Sequence, residues 1–369
     1  MNNPIYNKHV HVINTHGLGD IVMIFPLINI LMKEHPKTIT FSVKSKGESD
    51  IIHAFFPSIT MDKFVLVSKY KKIRNPALRF VNYVQSVRKL KPDIVITCFN
   101  VHPMLANLTA FFSNAKIRIG WESLWDFLNT TTVSVLPGKH KVFQNLSLLE
   151  ALCRKKFYPQ PPTFYIHSKK MKSMIKTIKD HGGNIYKDYI IGIAPGSGFL
   201  EKHKRWPEYK YAELIDRVKS NTNFKVILLG SEVETDLSLD IIGMLKNKKS
   251  VINLTGKTTI CESIHLLRLC NVVISNCNGL SHLAGAVGTK VIGLYGPTDP
   301  RHTGVFSSDS TIIKKEKNCS PCYGRKNITG CGNPTCMTDI SVSEVFDTLM
   351  TIKLESYSSH RHFLNNNQV

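Results

Sequence analysis

The chain of 369 residues has no long apolar run. The longest, Ile21 to Met32, is too short to cross a bilayer and contains Pro26. The opening stretch MNNPIYNKHVHVIN has no basic segment leading into an apolar one, so no targeting signal is read there and a cytoplasmic location is expected. Acidic residues are scarce. Asp plus Glu number 27 against 48 Lys plus Arg, and 48 − 27 gives the net charge of +21. Such a chain is drawn to polyanions: nucleic acid, an anionic membrane face or phosphorylated substrates. The plainer reading is a lysine-rich solvated surface, because the basic residues are scattered and form no long block. No aromatic-rich basic segment or nucleic-acid motif is present, so nucleic acid is not an expected partner. The nine cysteines are an odd number and five stand alone, which suits a reducing compartment better than a disulfide scaffold. No internal repeat is seen beyond an echo between the two halves.

What is present is a βαβ rhythm, twice. Hydrophobic content is 42% and charged content 20%, ordinary for a globular chain whose length favours two domains. In the first half, strands are predicted at Val10–Asn14, 39–43, 64–67, 93–97 and 116–119, with helices at 21–35, 76–89, 104–112 and 143–153. The prolines of YPQPPTFYIHSKK then break regular structure, and the domain boundary is expected at about residues 158–188. The rhythm restarts with strands at 189–194, 225–229, 251–254, 271–275 and 290–295. Helices are predicted at 208–220, 232–245, 261–269, 280–287 and 342–353. The expected fold is α/β, with two Rossmann-like, doubly wound domains facing a central cleft, where the carboxyl ends of such strands bind ligands. The expected domains are 1–165 and 186–340, followed by a C-terminal helix at 341–355 and a disordered tail at 356–369.

Three stretches carry candidate chemistry. In NTHGLGDIVMIFPL, Gly17 and Gly19 make a strand-to-helix turn but fail the dinucleotide fingerprint, because Val22 takes its third glycine position. Asp20 is expected at or just before the helix start. It is either an N-cap, worth about 1 kcal/mol, or a general base held by a buried helix. In IAPGSGFLEKHKRWPE, the turn at Gly196 and Ser197 lets phosphate oxygens approach backbone N–H groups, and Lys204 and Arg205 are either surface cations or a diphosphate's counter-charge. In VVISNCNGLSHLAGAVGTKVIGLYGPTDP, a buried strand ends at Asn278 and Gly279 and a helix begins, with His282 in its first turn. That arrangement is a ready anion site, although a first-turn histidine alone is more often structural.

In this order the three stretches, with LTGKTTICESIHLLRLCNVVIS between the last two, resemble glycosyltransferase family 9, whose best-known members are ADP-heptose:lipopolysaccharide heptosyltransferases. The resemblance runs from about Val12 to about Val345. It implies a GT-B glycosyltransferase architecture, with acceptor bound by the first half and nucleotide sugar by the second. Asp20 matches the proposed catalytic base and Lys204 the lysine that contacts the donor phosphates. Glu232, or alternatively Glu234, matches an acidic residue near the donor ribose. Asn278, Gly279 and His282 fall in the loop around the diphosphate. The chain departs from the family where Asp-Thr is replaced by Cys277-Asn278, which keeps the backbone donors but loses a charge.

A last cluster, Cys319, Cys322, Cys331 and Cys336, has zinc-like C-x2-C spacing at its start. It is read as a structural zinc site, free thiols or disulfides, and no catalytic metal is expected. The resemblance implies an inverting transferase that requires no cofactor. It would move a heptose, with ADP-heptose as the nucleotide-sugar co-substrate, to a lipid-linked or phosphorylated envelope saccharide. The positive charge fits an anionic acceptor and peripheral contact with the inner face of an anionic membrane. Two alternatives stay open: another nucleotide sugar on the same fold, or a catalytically weakened sugar-nucleotide or polyanion binder.

Overall fold

The computed structural model describes residues 3–198, 201–323 and 331–356. The tail expected to be disordered falls at residues 357–369, outside them, apart from its first residue. The chain divides into two compact units, Met1–Tyr165 and Ile166–Val369.

The first unit holds one six-stranded sheet of β1 (His9–Ile13), β2 (Thr38–Val43), β3 (Phe64–Leu66), β4 (Ile94–Thr97), β5 (Ile117–Trp121) and β6 (Thr131–Val133), in the order β3-β2-β1-β4-β5-β6. Every pairing is parallel. The central strands β1 and β4 are buried over nearly their whole length, as parallel strands covered on both faces are. Buried polar side chains also lie within this layer. Buried His11 of β1 bridges Thr40 Oγ1 and Ser42 Oγ of β2, each at 2.8 Å. The helix expected over 21–35 begins earlier and is broken, giving Leu18–Met23 and Phe25–Lys33. Pro26 is the cause. It has no N–H to donate to the preceding turn and is tolerated only in the first turn of a new helix.

The second unit repeats the topology with β7 (Ile190–Ala194), β8 (Lys225–Leu228), β9 (Val251–Asn253), β10 (Val272–Asn276), β11 (Lys290–Tyr295) and β12 (Ser310–Lys314), ordered β12-β11-β10-β7-β8-β9 and wholly parallel. Its core joins the sheet to Trp206, Tyr211 and the C-terminal helix Val342–Ser356 through Val345 and Leu349. Trp206 is fully buried, stacks edge-on to Tyr211 at 4.9 Å and donates its indole N–H to the Ile340 carbonyl at 3.0 Å.

In both sheets the strand order reverses beside the first strand, between β1 and β4 and between β7 and β10. Ligands of doubly wound sheets bind at the carboxyl edge at that reversal. The segments following β1, β7 and β10 are GLGD, PGSG and CNGLSH, the stretches singled out from sequence.

Candidate active site

Asp20 stands in the loop-to-helix turn after β1. It is not the N-cap that sequence alone allows. Gly17 holds that position, and Asp20 is the third residue of the helix. Nothing lies within 4 Å of where a Gly17 side chain would begin, so the turn is open on that side. Buried Asn14 fixes the turn from below, with Nδ2 donating to the Asp20 carbonyl at 3.2 Å. His16 Nε2 bonds the Asn100 carbonyl, tying the turn to the loop after β4.

The side chain of Asp20 is answered by a residue the sequence reading did not select. Lys141 Nζ donates to Asp20 Oδ1 at 2.7 Å, and the two side chains are only 14% and 21% exposed. Lys141 opens the helix Lys141–Cys153, which Asn145 anchors by accepting the Phe99 N–H at 2.9 Å. Asp20 Oδ2 meets no hydrogen-bond donor among the described residues. The carboxylate is thus held through one oxygen and offers the other. The pair lies 121 positions apart in sequence, and no local pattern marks it.

The second unit brings the other stretches together through two asparagines. Buried Asn276, the last residue of β10, donates Nδ2 to the Pro195 carbonyl at 2.7 Å. Its Oδ1 accepts from the Trp206 N–H and the Tyr211 hydroxyl, both at 3.0 Å. Asn278 caps the helix Gly279–Ala286 by accepting the Ser281 N–H at 3.0 Å, and its Nδ2 reaches back to the Gly196 carbonyl at 2.9 Å. Arg205 Nε donates to Ser197 Oγ at 3.0 Å, so that guanidinium braces the turn. PGSG, KRW and SNCNG therefore form one cross-linked structure. Gly279 and buried His282 sit in the capped helix.

Lys204 is buried and paired with Glu201 at 2.9 Å, and the Tyr323 ring lies 3.6 Å from its ammonium. Tyr323 donates its hydroxyl to Glu201 Oε1 at 2.7 Å. Burial pushes the Glu201 carboxyl up, but the Lys204 ammonium and the Tyr323 hydroxyl outweigh it and leave the group below the usual carboxylate range. Lys204 thus already has an anion beside it. A phosphate would share or replace Glu201.

Of the two acidic candidates after β8, Glu234 is the one at the turn. Its carboxylate closes a capping box with Ser231 and lies against Gly196, where a Cβ would come within 1.6 Å of Glu234 Oε1. Glu232 is exposed. Cys277 is buried and faces the Thr303 carbonyl at 3.9 Å and the phenol of Tyr295. Neither contact is with Lys204. In the C-terminal cluster Cys336 is buried, and burial together with the neighbouring cysteines pushes its thiol up to about 11. Cys319 and Cys331 are exposed, and no disulfide joins any cysteine. Among the described residues no group of three or more His, Cys, Asp or Glu could hold a metal ion.

Two six-stranded Rossmann-like sheets, one with a carboxylate held on one oxygen and one with a cross-linked glycine-asparagine turn beside a buried lysine, are the architecture of the two-domain glycosyltransferases. The chain belongs to glycosyltransferase family 9 (heptosyltransferase), whose model matches residues 81–332. It is 38% identical over 127 residues to lipooligosaccharide heptosyltransferase 2 of Haemophilus influenzae, a stretch covering 34% of this chain and 36% of that protein. To lipopolysaccharide heptosyltransferase 2 of Salmonella typhimurium it is 30% identical over 259 residues, covering 67% of this chain and 72% of the relative. In fold it is similar to a family 9 glycosyl transferase from Veillonella parvula, with TM-score 0.78 and 22% identity over 96% of this chain and 100% of that one. It is likewise similar to the E. coli ADP-heptose lps heptosyltransferase II, with TM-score 0.72 and 20% identity over 95% of this chain and 100% of that one. Among the described residues no helix is long and apolar enough to cross a membrane.

Proposed function

We propose that this glycosyltransferase moves a heptose from ADP-heptose to a saccharide of the lipopolysaccharide core, with inversion at the anomeric carbon. The reading rests on its heptosyltransferase relatives, and the name of the E. coli neighbour supports the donor. The observation that carries the mechanism is Asp20, held on one oxygen by Lys141. Asp20 Oδ2 takes the proton of an acceptor hydroxyl as that oxygen forms a bond to the anomeric carbon. The bond to the diphosphate breaks, and the nucleoside diphosphate leaves with the electron pair. Lys141 is a positioning residue. It fixes the carboxylate's rotamer through the 2.7 Å ion pair. The leaving charge is met by Lys204 and by the backbone around Asn278–His282, which are in place before the reaction and so need little reorganisation. Glu234, against Gly196, contacts the donor ribose.

The test is nucleotide binding followed by turnover. Thermal shifts are measured with ADP, UDP, GDP and CDP, and transfer is then assayed with ADP-heptose. ADP at a hundred times its dissociation constant should stabilise the protein by about 2.7 kcal/mol. A shift with another nucleotide alone would replace the donor. Nucleotide binding without transfer to any core saccharide would instead favour a sugar-nucleotide binder.

A further inference from the structure

We propose that the first unit docks on an anionic membrane through an apolar surface built from the helix Pro103–Phe112 and the segment following β5. The helix exposes Leu105 and Phe112, seven residues apart on one stripe, and Phe111 on the flank beside Phe112. The adjoining segment adds Leu124, 92% exposed, and Phe127, 71% exposed. The fold binds these two elements to each other, because Asn107 of the helix donates to the Trp125 carbonyl at 3.1 Å. Large apolar side chains exposed singly are ordinary, but a contiguous set presented by a helix and its neighbouring loop marks an interaction surface.

Charge identifies the occupant. Residues 69–121 contain ten Lys or Arg and one acidic residue, Asp93, so 10 − 1 gives +9 of the chain's +21 within 53 residues. Asp93 is itself engaged by the His9 N–H at 2.8 Å. Lys71, Lys72 and Arg74 are exposed at the entrance of the helix Pro76–Lys89, which runs beside Pro103–Phe112, and Arg88 and Lys89 are exposed at its end. Arg118 lies over the Phe111 ring at 5.6 Å, and Lys116 is exposed two residues earlier. Glu122 and Asp126 are the acidic residues within the surface; Glu122 accepts the Ser134 hydroxyl, and Asp126 faces the Ser123 N–H. An apolar face ringed by cations is the pattern of a protein lying in the interface of an anionic bilayer. A second copy of this chain would bring +9 against +9.

The topology makes the placement useful. Leu124 is three residues beyond the carboxyl end of β5, and β5 is the second neighbour of β1, about 10 Å along the sheet at ordinary strand spacing. Docking there sets the edge bearing Asp20 beside the bilayer, where a lipid-borne saccharide presents its hydroxyls. Only this last consequence rests on the transferase reading; the docking does not.

The test is co-sedimentation of the full chain with phosphatidylcholine vesicles, with and without phosphatidylglycerol, at low and high salt. The parent should bind the anionic vesicles at low salt and lose most binding at high salt. Leu124→Asp with Phe127→Asp should weaken binding at least tenfold, and the milder Leu124→Ser with Phe127→Ser should also weaken it, with ADP binding and melting temperature unchanged. Equal binding by parent and variants overturns the proposal, as does binding that ignores the anionic lipid. A change from dimer to monomer in the variants, with no vesicle binding by the parent, would assign the surface to a second copy and also overturn it. No donor or acceptor is present in this assay, so its outcome is independent of whether heptose is transferred.

Discussion

The two units share a topology but hold their functional groups in different ways. After β1 the first unit keeps an open glycine turn and a carboxylate gripped at one oxygen by one lysine. At the equivalent place the second unit ties three chain segments together through Asn276 and Asn278, both bonded to the PGSG turn. The contrast suits the two proposed tasks. A group that must take a proton needs an unoccupied oxygen and access, so it cannot be fully bonded. A surface that must receive a diphosphate works by being in place beforehand, so its cost is met in folding by buried hydrogen bonds.

This contrast can be broken from either side. The largest effect is expected from Asn276→Leu, which orphans the Trp206 N–H, the Tyr211 hydroxyl and the Pro195 carbonyl. At about 1–3 kcal/mol for each buried group left unpaired, the second unit should lose about 3–4 kcal/mol in urea unfolding. A loss below about 1 kcal/mol would show that the turn does not depend on this link. Next is Asp20→Asn, which can still accept from Lys141 but is no base. Turnover should fall about a hundredfold or more, with stability changed by less than about 1 kcal/mol; retained turnover removes Asp20 from proton transfer. Lys204→Ala should weaken ADP binding about tenfold or more in calorimetry and leave acceptor binding alone. Unchanged ADP affinity would leave the cation's role to Arg205. The smallest effect is Lys141→Met. It should slow turnover about tenfold, with ADP affinity unchanged and Lys141→Arg restoring the rate. A rise in acceptor KM with kcat unchanged would make Lys141 an acceptor contact instead.

Much of the architecture was readable from the chain because parallel strands buried on both faces leave short β-branched runs, such as VHVI in β1 and VVISN in β10. The strands not foreseen, β6 and β12, are edge strands. Thr131–Val133 and Ser310–Lys314 each pair on one side only and are partly exposed, so their composition resembles a loop. The glycine and asparagine turns were legible because their spacing is local. Lys141, Tyr323 and the packing of Glu234 against Gly196 were not. Each depends on where a distant side chain lands once the sheets have formed.

His11 adds a further difference between the units. It lies inside the first sheet, bonded to two hydroxyls, and burial, aided by neighbouring His9, pushes its pKa down to about 3. The unfolded chain, with a histidine near 6.5, therefore competes for a proton that the folded sheet refuses. Because the folded value is the lower one, the contribution to stability is intact above about pH 6.5 and drains away as the pH falls toward 3. At pH 4.5 the two-unit difference from 6.5 corresponds to about 3 kcal/mol. Acidification thus acts as a solvent-borne antagonist of the unit that carries the proposed base, and unfolding curves at pH 7 and 4.5 should draw closer together in His11→Asn.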